Sequence, residues 1–321
     1  MTKNPYGPIL ITGASSGIGN RLASSLAAQG HVVYATARKD EDIARLEEIK
    51  NVIAVKLDVR SPEQIQDAHD FILNEGRGLY GLVNNAGQGG LGMFSTWTDE
   101  EMFDIFDVNV FGVHRVTNTF LHLLLEGKGR IVNIGSQGGI LTKKYYGPYT
   151  MTKHALEAYT VALNEELRSQ GVWVSIVQPG GIVSNVGANA LEGTLARFRR
   201  AASPFEDEAR QAMASFEQEP VSDEIEESEA NRKPSSPEIV AEAVRDALFS
   251  AIPKLRYLVG TKWEGDRVLN ALIQKLLDEN DNPKHSYSRD ELIALLDRQI
   301  SQRRARASSF VPHERRQAEG G

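Results

Sequence analysis

Ile9-Leu10-Ile11-Thr12-Gly13-Ala14-Ser15-Ser16-Gly17-Ile18-Gly19 is the stretch that decides the fold. A short apolar, β-branched run leads into a glycine-rich turn, and the first helical pattern follows at once. Strand, glycine turn and helix in this order form a context for binding a pyrophosphate. The glycines let a ligand approach the backbone, and the helix start offers free N–H groups and the positive end of the helix dipole. Gly13, Ser15, Ser16, Gly17, Ile18 and Gly19 are the candidate phosphate-side residues. The spacing is G-x3-G-x-G rather than G-x-G-x-x-G, and taken alone it also suits a turn in some other α/β protein.

The rest of the chain repeats the alternation. Strands are expected at Ile9–Thr12, Val32–Ala35, Val52–Leu57, Gly81–Asn84, Arg130–Ile134 and Trp173–Val177, with Arg256–Val259 as a seventh. Their nearly continuous apolar character fits strands covered on both sides. The expected architecture is therefore α/β: a doubly wound (Rossmann-type), mostly parallel seven-stranded sheet with helices on both faces. One helix is expected to begin at Thr98, in a Thr98-x-x-Glu101 capping box, and to carry Asn109. Another runs from about Tyr149 to Ser169 and stops at Gly171.

After Pro179 the pattern breaks. Residues 184–237 lack a strand signal, and Glu206 to Glu229 is heavily acidic. This span reads as a flap over the substrate, with Leu191, Leu195, Phe198 and Phe205 as its apolar lining. A helix over Pro237–Phe249 leads into the last strand. The expected organisation is a catalytic domain over 1–260 with its flap at 184–237, a helical extension over 261–301 and a disordered tail over 302–321. Leu269, Leu272, Ile273 and Leu276 share one face of the extension, and Leu292, Leu295 and Leu296 follow.

Composition bounds the function. Of the 321 residues 41% are hydrophobic and 25% charged, ordinary values for a globular protein with a sizeable core. A net charge of −7 and a pI near 5.6 argue against a nucleic-acid partner. There is no cysteine, which excludes disulfides and thiolate chemistry, and the seven histidines are scattered without a metal-binding pattern. The sequence contains no long apolar run to span a membrane and no signal-peptide pattern at its start, so a cytoplasmic location is the expectation.

The chemistry gathers around Tyr149 and Lys153, which lie one helical turn apart on a shared face. A phenol titrating near 10 is a poor acid–base group at neutral pH. An ammonium about 4 Å away contributes about 4 kcal/mol at an effective dielectric near 20, enough to bring the phenol toward the working range. Ser136, thirteen residues upstream, can hold a substrate oxygen against that phenol. Asn109 is expected to bend or hydrate its helix so that water links Lys153 to solvent. Tyr145 and Tyr146 carry Tyr149 and Thr150 at i+4, so neither can replace Tyr149.

Further elements select a cofactor. The second strand ends in Ala35-Thr36-Ala37-Arg38-Lys39, with no acid until Asp40. An acid there would bond a ribose 2′-hydroxyl, whereas the forked donors of Arg38 suit a 2′-phosphate, so NADP(H) is favoured over NAD(H). Asp58 is placed to accept a bond from an adenine amino group. Asn85, Ala86 and Gly87 follow the fourth strand, and Pro179 and Gly180 follow the sixth, beside Ile182.

These residues together resemble the short-chain dehydrogenase/reductase family. The resemblance is strong over residues 6–183 and weaker over 237–260. It rests on the glycine turn, Asn84-Asn85-Ala86-Gly87, Asn109, Ser136, Tyr149, Lys153 and Pro179-Gly180. The glycine spacing looks like the single-domain branch rather than the extended branch of sugar-nucleotide epimerases. The long segment after Pro179 loosely resembles members acting on steroids, retinoids or acyl-chain ketones. The resemblance implies interconversion of a small apolar ketone or aldehyde and its alcohol, with Tyr149 as general acid/base, in a homo-oligomer. Two alternatives remain open: a non-catalytic NADP(H) sensor, and a cofactor-retaining epimerase or dehydratase. One departure stands out. The family often has a threonine shortly after Pro-Gly to bond the nicotinamide carboxamide, where this chain has Ile182-Val183-Ser184.

Overall fold

The computed structural model describes residues 6–184, 186–215, 226–228 and 231–309. Seven strands form one parallel sheet: β1 (Ile9–Ile11), β2 (Val33–Ala37), β3 (Val52–Lys56), β4 (Gly81–Asn84), β5 (Arg130–Ile134), β6 (Trp173–Pro179) and β7 (Arg256–Val259). Their order across the sheet is β3-β2-β1-β4-β5-β6-β7. Each strand lies within two residues of the expected position, the ordinary uncertainty of strand ends. The winding reverses between β1 and β4, and open α/β sheets bind ligands at the carboxyl edge of such a switch point.

Both faces of the sheet are covered, and successive residues of one strand enter different cores. On β1, Ile9 and Ile11 pack with Leu22 and Leu26 of α1 (Gly17–Ala28) and with Val240, Val244 and Leu248 of the helix Glu238–Phe249. Leu10, between them, packs on the opposite face with Phe120, Leu123 and Leu124. All of these side chains are buried. Truncating one of them to alanine would cost about 2–5 kcal/mol.

The remaining helices are α2 (Asp40–Glu47), α3 (Pro62–Asn74), α4 (Asp99–Phe106), α5 (Gly112–Glu126), α6 (Gly147–Leu167), α7 (Val186–Arg199), α8 (Glu206–Ser215), α9 (Glu238–Phe249), α10 (Lys262–Asn280) and α11 (Arg289–Ser309). The expected capping box of α4 is present in both directions, Thr98 bonding Glu101 and Glu101 bonding Thr98. The helix expected to carry Asn109 is not continuous. A π-helical segment, Asp107–Phe111, separates α4 from α5 and holds Asn109. Such bulges insert one residue into a helix and re-aim its side chains, often at functional sites.

Met1–Val268 and Leu269–Gly321 are two compact units. In the second, Leu269, Leu272, Ile273 and Leu276 are exposed. Helix α11 continues to Ser309, into the stretch expected as a disordered tail, and residues 310–321 lie outside the described residues. Among the described residues no helix is long and apolar enough to cross a membrane.

Candidate active site

A cleft of about 740 Å³ lies along the carboxyl edge of β1, β4, β5 and β6. Its glycine-turn end is built by steric exclusion. A Cβ on Gly13, whose φ is +66°, would fall 2.8 Å from Ala86 Cα, so only glycine lets the turn lie against the strand-β4 loop. Thr12 Oγ1 accepts hydrogen bonds from the N–H groups of Asn85 and Ala86, both at 3.0 Å. Asn85 Nδ2 in turn donates to the carbonyls of Thr12 and Gly13, each at 2.9 Å. The amide of Asn85 thus braces the turn from behind, while the residue still lines the cleft. Gly19 does not line it. A Cβ there would collide with Asn85 Nδ2 and Gly13 O, so Gly19 serves close packing of α1 rather than contact with a ligand. Gly13, Ser15, Ser16, Gly17 and Ile18 do face the cleft. Ser16 starts α1 without a side-chain cap bond, and the first-turn N–H groups are left open to a ligand anion.

Arg38 and Asp58 line the far end of the same cleft. Arg38 is exposed along much of its side chain and comes within 4.0 Å of Asp58 Oδ2. Asp58 is bound mainly by a residue that sequence reasoning missed. Arg60 donates to it through Nη2 at 2.8 Å, Nε at 3.2 Å and the backbone N–H at 2.9 Å. That grip holds the Asp58 carboxyl below the usual carboxylate range. Arg60 also reaches Asp104 at 3.0 Å, and Asp104 accepts from Gln88 Nε2 at 2.6 Å. No local motif announces Arg60, Asp104 or Gln88, since their partners come from separate loops and helices.

At the other end, Ser136, Tyr149 and Lys153 come together. Ser136 follows β5 in extended conformation, accepts from the Gly138 N–H at 2.9 Å, and is hydrogen-bonded to the Tyr149 phenol. Lys153 is only 7% exposed. Its Nζ donates to the Ile134 carbonyl at 2.9 Å and stands 5.7 Å from the centre of the Tyr149 ring. This arrangement corrects the expected electrostatics. Burial brings the Lys153 amine down to about 8, and burial pushes the Tyr149 phenol up, offset in part by the Ser136 hydrogen bond. The ammonium is satisfied by a backbone carbonyl at the end of β5 instead of pulling the phenol down.

Asn109 does not line the cleft and is 1% exposed. Its Oδ1 accepts from the Gln88 N–H at 2.8 Å, and its Nδ2 donates to Gln88 O at 2.9 Å and to Thr152 Oγ1 at 3.1 Å. Thr152 Oγ1 donates onward to the Tyr149 carbonyl at 2.7 Å. The π segment therefore presents an amide that ties the loop after β4 to the helix carrying Tyr149 and Lys153. Gly87 fits between Asn109 and Lys153, where a Cβ would lie 3.3 Å from Asn109 Oδ1.

Helix α7 roofs the cleft through Val186, Ala190, Leu191 and Thr194. Of the four apolar residues expected to line the flap, Leu191 does so. Phe198 instead packs in a small core with Met93 and Ala209, Phe205 is exposed, and Leu195 does not line the cleft. The roof is clamped down. Arg197 stacks 3.7 Å from the Trp97 ring centre and donates to Leu91 O at 3.2 Å, and both Arg197 and Arg200 pair with Glu101. Adjacent tyrosines divide the labour. Tyr145, at φ +73°, bonds Glu208 of α8 at 2.6 Å, whereas Tyr146 faces the cleft. Residues 216–225, within the expected flap, lie outside the described residues.

A helix start with open N–H groups, a phenol, a hydroxyl and a buried amine in one cleft suit proton and hydride exchange with a dinucleotide. Comparison with known proteins points the same way. Residues 8–194 match the model of the short chain dehydrogenase family. The chain belongs to the short-chain dehydrogenase/reductase family. It is 36% identical over 253 residues to the uncharacterized oxidoreductase YbbO of Escherichia coli (strain K12), covering 78% of this chain and 84% of that one. A short-chain dehydrogenase from Streptomyces avermitilis superposes with a TM-score of 0.69 at 28% identity, over 87% of this chain and 96% of that one. A variant of actinorhodin polyketide ketoreductase with NADPH gives a TM-score of 0.65 at 28% identity, over 81% and 97%. As a short-chain dehydrogenase/reductase, this protein is an NAD(P)-dependent alcohol or carbonyl oxidoreductase acting on a small-molecule substrate.

The cleft fits that cofactor. Its size is within the usual range for a ligand site. The open α1 start suits the pyrophosphate, and the small residues Ala86 and Gly87 leave backbone exposed beside it.

Proposed function

We propose that this protein uses NADP(H) to interconvert a ketone or aldehyde and the corresponding alcohol, with Tyr149 as the general acid and base. The observation that carries the reading is the meeting of Ser136, Tyr149 and Lys153 in the cleft that also contains the glycine turn and Arg38. Arg38 supports NADP(H): it is an exposed forked cation on the cleft wall, next to Ala37 where an acid would otherwise exclude a 2′-phosphate.

When bound in the cleft, a nicotinamide cofactor would provide the hydride chemistry at the substrate carbon, in either direction. Ser136 holds the substrate oxygen by a hydrogen bond while Tyr149 Oη passes its proton to that oxygen. Burial keeps the phenol protonated at neutral pH, which equips Tyr149 as an acid for reduction. Alcohol oxidation needs the phenolate and so rises with pH. Lys153, held near 8 by burial, exchanges its proton close to working pH and can restore the one Tyr149 gives up. Leu91, Leu141, Tyr146, Val186 and Leu191 make the substrate end largely apolar.

The test is NADPH consumption across a panel of aliphatic, aromatic and acyl-chain ketones and aldehydes. Turnover of at least one class, lost in Tyr149→Phe, is expected. Tight NADPH binding with no turnover of any compound would mark a sensor instead.

A further inference from the structure

Glu264 is almost wholly buried, with 1% of its surface exposed. A carboxylate in that position is costly unless it is paired and hydrogen-bonded. Its Oε1 accepts from the Gly181 N–H at 2.7 Å and from Arg232 Nη2 at 2.5 Å, and its Oε2 accepts from the Thr261 N–H at 3.3 Å. Thr261 Oγ1 in return accepts from the Glu264 N–H at 3.2 Å, so the pair forms the capping box of α10. An ordinary capping-box glutamate reaches back only to its own helix start. Glu264 also reaches the turn that ends β6.

The chain makes room for this carboxylate at two places. A Cβ on Gly180 would collide with Glu264 Oε2 and Oε1, and a Cβ on Gly260 would collide with Oε2. The glycine of Pro179-Gly180 is therefore needed by Glu264, which does not itself line the cleft. The other backbone groups of the turn are engaged as well. Gly180 N–H donates to Val259 O at 2.8 Å, and Gly181 O accepts from Ser235 N–H at 2.8 Å. Val183 N–H donates to Ser235 O at 3.0 Å, joining the outgoing and returning stems of the roof segment. Arg232 lies on that returning stem, and Arg232, Gly180, Gly181 and Ile182 all line the cleft.

We propose that Glu264 is a positioning residue for the nicotinamide end of the cofactor site. Its carboxylate fixes the Pro179-Gly180-Gly181 turn from behind, in a chain that carries Ile182-Val183-Ser184 where a threonine commonly follows. Through Arg232 it ties that turn to the returning stem of the roof. The inference rests on the cofactor reading above and extends it to a residue beyond the last strand.

Two probes separate positioning from general stability. On the cofactor reading NADPH would occupy both ends of the cleft, whereas adenosine 2′,5′-bisphosphate would occupy only the end lined by Arg38 and Asp58. In Glu264→Ala the Kd for NADPH should rise about tenfold or more, the size of one lost buried hydrogen bond. The Kd for the bisphosphate should stay within about twofold, because Arg38 and the glycine turn are untouched. Glu264→Gln keeps an acceptor for Gly181 but cannot also hold Arg232 and Thr261, and should weaken NADPH about threefold. It provides the measurement if the alanine variant does not fold. Equal weakening of both ligands, or unchanged NADPH binding in a folded variant, would overturn the proposal. Wild-type protein binding neither ligand would remove the cofactor reading itself, and this inference with it.

Discussion

Replacing Lys153 by methionine should stabilise the ligand-free protein at neutral pH while abolishing its activity. Lys153 is 7% exposed, and burial lowers its titration from the ordinary 10.5 to about 8. Keeping it charged at pH 7 therefore costs the folded state about 3 kcal/mol relative to the unfolded chain. Methionine removes that cost but leaves the Ile134 carbonyl without its 2.9 Å donor, a loss of about 1–2 kcal/mol. A net gain of about 1–2 kcal/mol, or a few degrees in Tm, is expected. The sign follows from linkage. A lysine whose folded-state titration is depressed destabilises the fold fully below about pH 8, and the penalty fades as pH rises toward 10.5. The advantage of the methionine variant should accordingly shrink between pH 8 and 10 and reverse once only the lost hydrogen bond remains. Denaturant unfolding of both proteins at pH 7, 8, 9 and 10, without cofactor, measures this directly. Parallel stability profiles would refute the buried-ammonium argument, as would a methionine variant that is less stable at pH 7.

Tyr149→Phe should lower kcat about 10²–10⁴-fold and leave NADPH affinity nearly intact, as fluorescence titration and NADPH consumption would reveal. Arg38→Gln should raise the KM for NADPH about tenfold or more without affecting NADH, since a charge-assisted contact to phosphate is lost; equal changes for both cofactors would count against the 2′-phosphate role. Asn109→Ala strands the N–H and C=O of Gln88, so stability should fall by about 1–3 kcal/mol and kcat should drop with it, while NADPH still binds. Glu101→Gln weakens the grip on Arg197 and Arg200 and should speed tryptic cleavage in α7 and raise substrate KM; an unchanged digestion pattern would show that the roof is held by other contacts.

Much of the fold was legible because a parallel sheet buried on both faces writes itself locally. Ile9-Leu10-Ile11 is apolar at every position because alternate residues enter opposite cores, and the glycine turn after it leads straight into the helix start. Ser136, Tyr149 and Lys153 were recognisable for a similar reason. Each sits at a strand end or on one helix face, where spacing in sequence translates into spacing in space. Gly19 and Gly180 were legible as glycines but not in their purpose, which only the neighbours Asn85 and Glu264 disclose.

What the sequence by itself determined was therefore the order of strands and helices, the cofactor cleft at their carboxyl edge, and the three side chains that meet there. The tertiary structure decided how those groups are tuned. Lys153 is turned onto the Ile134 carbonyl, the Tyr149 phenol is raised by burial instead of lowered, and Asn109 is delivered by a π segment to brace Gln88 and Thr152. Arg60 reaches Asp104 44 positions away, Glu101 reaches Arg200 99 positions away and Glu264 reaches Gly181 83 positions away. Desolvation and long-range hydrogen bonding depend on what the fold brings alongside a group, and no local pattern of residues encodes that.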